Sequence, residues 1–223
     1  YFQRKMIPFG SPLSAVLNRK IFKRLREESD RASKWMAEHF GEPEMLKGYG
    51  YRNTTRLAQA PKKSTTFIDG GTHLALSEGI EPHKSNYSEK KLAKIQVEFK
   101  NKELEKLLIE KGKNTKEVWD SILTNNGSVS HLEFLTDHEK DVFKVFSEIS
   151  QMDIIDLAAA RQQYIDQGQS INLMVHPETP AKDIIKLHLY AFEKGLKSLY
   201  YQYSINASQR FNQKLTECSS CEG

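Results

Sequence analysis

Apolar residues return every three or four positions from Leu13 to Phe40, at Leu13, Val16, Leu17, Ile21, Leu25, Ala32, Trp35, Met36 and Phe40. That period predicts one long amphipathic helix whose basic face (Arg19, Lys20, Lys23, Arg24, Arg26) is solvated surface. Ser11-Pro12 supplies an N-cap and a first-turn proline, and Gly41 and Pro43 stop the helix. TRLAQA (55–60) reads as a short strand ended by Pro61, after which a Lys/Ser/Thr cluster meets a second short apolar stretch. Residues 81–98 show no sustained period and read as loop with at most one strand. A short charged helix covers 101–112, closed by Gly112, and a second covers 114–128 with Trp119, Ile122 and Leu123 as its buried side. Two more helical segments run from Asp137 to Ile149 and from Met152 to Ile165, the latter burying Ile155, Leu157 to Ala159 and Tyr164. SINLMV (170–175) is apolar enough for a strand of a buried parallel sheet. Thr179-Pro180 opens a helix that ends at Gly195, and LKSLYYQYS (196–204) returns as a strand. Strand, helix, strand in that order is a βαβ unit, so the fold class is α/β with parallel strands.

From Ala207 the chain is polar and rich in Gln, Ser and Asn, which predicts a flexible tail over 207–223 behind a folded part over 1–206. At 223 residues the chain is long enough to bury a sizeable core. Hydrophobic residues make up 38% and charged residues 28%, and no apolar run approaches the ~18 residues of a membrane span, so a soluble, cytoplasmic protein is expected. YFQRKMIPFGSP, at the start, has no secretory pattern and reads as the interior of a domain, as if the chain began partway through a larger fold. The net charge of +4 arises from 33 basic and 29 acidic residues that are intermixed, which argues for a solvated surface rather than a nucleic-acid stripe.

Three features could carry chemistry. The only two cysteines, Cys218 and Cys221, form a C-x-x-C pair on the tail. A disulfide across so short a gap constrains little, and a zinc site needs about four ligands, which no nearby residue completes. A mobile dithiol that reduces a disulfide elsewhere fits the position, beside the alternatives of an inert tail and partial metal ligation. APKKSTT (60–66) offers Ser64, Thr65 and Thr66 hydroxyls and N–H groups with Lys62 and Lys63 beside them, either a phosphate cradle or a capped surface turn. It is not a Walker loop, whose glycine spacing is missing. Tyr200 and Tyr201 are neighbours on a predicted strand and so should point to opposite faces, as one core and one surface tyrosine or as a pair of redox-active phenols. The seven histidines are scattered, and none is assigned to a metal.

Taken together, these features resemble the large (alpha) subunit of class I ribonucleotide reductase, in its C-terminal part. The similar stretches are IPFGSP (7–12), GEPEMLKGYGYRN (41–53), APKKSTT (60–66), GIEP (79–82), NGSVSHL (126–132), EISQ (148–151), RQQYIDQGQSIN (161–172), GLKSLYYQ (195–202) and ECSSC (217–221). The resemblance implies the C-terminal half of a ten-stranded α/β barrel with a flexible tail. It implies that Lys63, Ser64 and Thr65, with Lys62 beside them, bind the substrate diphosphate. Tyr200 and Tyr201 would pass a radical inward from the small (beta) subunit, and Cys218 and Cys221 would reduce the active-site disulfide after each turnover. Thioredoxin or glutaredoxin would then reduce the tail, and ribonucleoside diphosphates would be the substrate. No cofactor is expected on this chain, because the radical comes from a metal-containing small subunit. No membrane or nucleic-acid partner is implied.

The departures bear equally on function. The family's thiyl radical sits on a finger-loop cysteine in an Asn-x-Cys-x-Glu motif, and a further cysteine pair supplies electrons. This chain has only the tail cysteines. Two lysines also stand in the phosphate loop where the family carries small or acidic residues, which suggests extra diphosphate affinity. The expectation is therefore a piece of ribonucleoside-diphosphate reductase, from a split gene or a truncated coding sequence. It would be inactive without an N-terminal piece of the large subunit. The rival is a non-catalytic remnant or a thiol redox or interaction protein.

Overall fold

Ser11 and Pro12 start the first helix as their chemistry dictates. Helix α1 runs over Pro12–Phe40, with the Ser11 hydroxyl accepting from the Ser14 N–H at 3.2 Å and Pro12 in the first turn, where no donor is needed. Gly41, at φ 78°, ends it. The Arg52 guanidinium then donates to the Phe40 and Gly41 carbonyls at 2.9 and 2.6 Å, satisfying acceptors that a helix end leaves open. The computed structural model describes residues 1–60, 85–92 and 95–204, with only the backbone over 88–92 and 95–97.

The way α1 faces differs from the simple amphipathic expectation. Its buried residues are Ser14, Asn18, Ser33 and Ala37. Leu13, Val16, Leu25, Trp35 and Phe40, all in the apolar stripe, are exposed. The buried side packs on helix α5 (Gln151–Gln162). Small side chains let the two backbones approach, and the Asn18 amide donates to the Leu157 carbonyl at 2.8 Å.

Residues 87–100 form a hairpin where a loop with at most one strand was expected. Strand β1 (Tyr87–Leu92) pairs antiparallel with β2 (Ile95–Lys100), from Tyr87 opposite Lys100 to Leu92 opposite Ile95. Three short helices follow: α2 (Lys102–Glu110), α3 (Lys116–Thr124) and α4 (Asp137–Val142). Asn101 caps α2 by accepting from the Glu103 and Leu104 N–H groups, and Thr136 with Glu139 forms a capping box on α4. Tyr87, Leu104, Leu108, Trp119, Ile122, Leu135 and Phe143 build one core between hairpin and helices. The hairpin is fastened there by buried Asn86, whose amide donates to the Gly127 and Phe143 carbonyls at 3.0 and 2.7 Å. Gly127 is required at that contact: it sits at φ 80°, and a Cβ would fall 1.9 Å from the Ser85 Oγ.

The second core gathers Phe146, Ile149, Ile154, Ile155, Ala158, Ile171, Leu173, Ala191 and Leu196 around α5. The predicted βαβ unit is present in shortened form. Strand β3 (Leu173–Met174) and β4 (Gln202–Tyr203) pair in parallel, joined by α6 (Ala181–Glu193). The TRLAQA segment contributes only a parallel bridge, Gln59 opposite Gln169. The helix expected over 137–149 stops at Val142 and resumes as a 3-10 turn over Phe146–Glu148.

Asp166 ties these parts together. Its carboxylate accepts the N–H groups of Arg56 and Leu57 at 2.7 and 3.1 Å and pairs with Arg26 of α1. Arg26 and Arg56 share Asp30 on α1 as well, at 3.0 and 2.5 Å. Burial raises the Asp166 pKa, but the Arg56 and Leu57 N–H groups and the Arg26 guanidinium outweigh it and hold the carboxyl down at about 2. A depressed carboxylate stabilises the fold above its ordinary titration range, and that stability is lost as pH falls through the folded value. After allowance for solvent screening the contribution is on the order of 1 kcal/mol. Replacing Asp166 with Asn should lower stability at pH 7 by about 1–3 kcal/mol in chemical denaturation. The gap to wild type should close between about pH 4 and pH 2 as the wild-type carboxyl takes up its proton. A gap of constant size across that range would show that the charge is not what holds these segments.

Candidate functional site

The segment 195–204 is placed by a buried polar ladder. Arg161 on α5 donates from Nε to the Gln59 and Gln169 side-chain oxygens at 3.0 and 2.6 Å. The Gln169 amide donates onward to the Ala158 carbonyl and to Gln162, at 3.0 and 2.9 Å. The Gln169 backbone then meets Ser198: its N–H donates to the Ser198 Oγ at 3.1 Å, and that hydroxyl donates to the Gln169 carbonyl at 2.8 Å. From Ser198 onward the chain follows 171–175 in register. Tyr200 N–H donates to the Ile171 carbonyl at 2.8 Å, Leu173 N–H to Tyr201 at 2.9 Å, and Val175 N–H to Tyr203 at 2.9 Å.

This register brings three phenol rings close together. Tyr200 and Tyr201 are 47% and 57% exposed, so both rings are open to solvent. Their centroids lie 4.2 Å apart at 61°, an edge-to-face contact. The opposite-face expectation for the pair is therefore corrected. The ladder hydrogen bonds of Tyr200 and Tyr201 do not keep their rings apart, because both lie just before the two-residue strand at Gln202–Tyr203. Tyr203 adds a ring 6.2 Å from that of Tyr201, at 63°. Its signal in the sequence was its place two residues beyond Tyr201, the spacing of one strand face. A hydrogen bond to Tyr201, with some burial and the neighbouring phenols, raises the Tyr200 pKa above the ordinary tyrosine value. Adjacent phenols, each with a proton to lose, can carry one-electron oxidation.

The other predicted site residues, Lys62, Lys63, Ser64, Thr65, Cys218 and Cys221, lie outside the described residues. Among the described residues there is no cluster of three or more His, Cys, Asp or Glu suited to a metal. No helix among them is long and apolar enough to cross a membrane.

The family model for the ribonucleotide reductase barrel domain matches residues 42–202. The chain belongs to the ribonucleotide reductase family. Its fold is that family's α/β barrel, in part. The ribonucleoside-diphosphate reductase large subunit of Invertebrate iridescent virus 6 is 38% identical over 205 residues, 90% of this chain and 21% of that protein. The large subunit of Caenorhabditis elegans is 35% identical over 166 residues, covering 72% of this chain and 20% of that one. Among solved structures, the Actinobacillus ureae class Id ribonucleotide reductase alpha subunit is similar with a TM-score of 0.84 and 55% identity. That match covers 94% of this chain and 38% of the other. The chain thus corresponds to part of a reductase large subunit.

The contact between the two phenols can be read in solution. Tyr200 should titrate above a free tyrosine in an ultraviolet pH titration, and Tyr201→Phe should return it toward the ordinary value. An unshifted Tyr200 in the wild-type chain would dismiss the hydrogen-bonded pair.

Proposed function

We propose that this chain is the part of a ribonucleoside-diphosphate reductase large subunit that carries the radical-transfer tyrosines, the substrate-diphosphate loop and the redox tail. The observation that carries the reading is the exposed edge-to-face pair Tyr200–Tyr201, set beside the parallel β3–β4 pair in a chain of this family. Exposure suits Tyr201 or Tyr200 to receive a radical from a partner, and ring contact suits the two to pass it on. In this reading a metal-containing small subunit supplies the radical. Lys62, Lys63, Ser64 and Thr65 hold the diphosphate of the ribonucleotide. Cys218 and Cys221 restore the active-site dithiol by exchange and are themselves reduced by thioredoxin or glutaredoxin.

The reading makes the chain one piece of a ten-stranded barrel, acting in the cytoplasm. The only cysteines among these residues are the two in the tail, so in this reading the radical cysteine and the reducing pair belong to the rest of the large subunit. Leu13, Val16, Leu25, Trp35 and Phe40 of α1 are exposed apolar side chains, which cover from another part of the assembled enzyme would suit. Alone, the chain should form no deoxyribonucleotide.

In an enzyme that contains the whole large subunit and the small subunit, Tyr200→Phe and Tyr201→Phe should each abolish turnover and leave nucleotide binding intact. Phe keeps the ring but has no hydroxyl proton to lose. Retained deoxyribonucleotide formation in both variants would remove the radical role. The tail should show itself differently. A pre-reduced Cys218→Ser, Cys221→Ser enzyme should give a burst of about one product per site and then stall with thioredoxin, with partial rescue by dithiothreitol. Normal cycling of that variant with thioredoxin would make the tail inert.

A further inference from the structure

Tyr201 has two phenol rings beside it, that of Tyr200 at 4.2 Å and that of Tyr203 at 6.2 Å between centroids. The position of Tyr203 is firm. Tyr203 pairs with Met174 in the parallel β3–β4 ladder, and the Val175 N–H holds its carbonyl at 2.9 Å. Tyr203 is partly buried, whereas Tyr200 and Tyr201 are exposed. Like phenols have like ease of oxidation, so nothing intrinsic confines an electron vacancy on Tyr201 to the side of Tyr200. The proximity also registers electrostatically, since Tyr203 is among the groups that raise the Tyr200 pKa.

We propose that Tyr203 is a third redox-active phenol, a side branch into which an oxidised Tyr201 discharges. The step is a one-electron exchange. The Tyr203 ring gives an electron to the Tyr201 phenoxyl radical, the Tyr203 hydroxyl proton leaves to water, and the Tyr201 oxygen takes a proton from water. Tyr201 ends as a phenol and Tyr203 as a phenoxyl radical, and no bond forms between them. The inference extends the radical role proposed for Tyr200 and Tyr201 but rests on ring geometry alone. Within that role the branch would compete with transfer toward Tyr200, and a partly buried ring would hold the vacancy away from solvent.

The test uses the 223-residue chain by itself. A haem peroxidase with hydrogen peroxide supplies the one-electron oxidant, peroxide being reduced to water as two phenols are each oxidised once. A nitroso spin trap captures tyrosyl radicals, and peptide mass spectrometry locates the adducts. Exposed Tyr1 and Tyr49 report the oxidising dose. Adducts are expected on Tyr201 and Tyr203 in the wild-type chain. Tyr201→Phe keeps the packing but removes the relay, so the Tyr203 adduct should fall severalfold at equal dose. Tyr203→Phe should raise the adduct on Tyr201, with the circular dichroism spectrum unchanged. Absence of a Tyr203 adduct, or an undiminished one in Tyr201→Phe, would overturn the branch. Neither outcome bears on the turnover of the Phe variants in the assembled enzyme, which tests the Tyr200–Tyr201 role separately.

Discussion

The fit of the Gln169 side chain between Arg161 and the end of α5 is the constraint on which the second core depends. Gln169 is fully buried and Arg161 nearly so, at 0% and 1% exposure. A guanidinium taken out of water is costly unless its donors are met. Here Nε is shared between two amide oxygens, and the charge also lies over the Phe22 ring of α1 at 5.6 Å. Gln169 spends its own N–H groups on α5 and its backbone on Ser198. One residue therefore sets the spacing between α5, the Gln59 bridge and the strand that leads to the tyrosines. Loss of that spacing would move the phenols as a group, because the register from Ile171 to Val175 begins at this point.

The two cores divide the work of positioning. The first, around Trp119 and Phe143, closes the hairpin onto three short helices and holds no site residue among those described. The second holds the parallel pair, and the phenols lie on its open side. Asp166 links α1 and the 56–57 segment to this second core, and its backbone carbonyl accepts from Lys197 at 2.5 Å, two residues before Leu199. Electrostatic and hydrogen-bonded ties, rather than greasy contact, thus bring the outer segments to the tyrosine strand.

Helix ends were legible in the sequence because capping is local. Ser11-Pro12 with Gly41, Asn101 with Gly112, and Thr179-Pro180 with Gly195 mark their helices to within a residue or two. The βαβ order was legible for a similar reason, since it follows from element sequence and chain handedness. What failed was anything decided by contacts between distant residues. The hairpin was hidden because Ser88, Glu89, Lys90 and Lys91 give no period-two apolar pattern. The facing of α1 was hidden because close approach to α5 selects small residues, which carry no hydrophobic signal. Gln59, Arg161 and Gln169 are polar residues with no local pattern, and only folding brings them together. Tyr200 and Tyr201 were singled out by motif resemblance, while their ring contact and the third phenol were not.

The inside-out facing of α1 has a consequence for how the helix is held. Its buried stripe offers little apolar area, so its attachment rests largely on Asn18 and on the part-exposed charges Arg26, Asp30 and Asp166. Apolar attachment weakens on cooling, whereas ionic attachment weakens as mobile ions screen it. Added salt therefore weakens the charged part of the attachment of α1. Salts that strengthen apolar burial act differently on the exposed apolar residues of α1, such as Leu13, Val16 and Trp35, whose affinity for an apolar cover they raise.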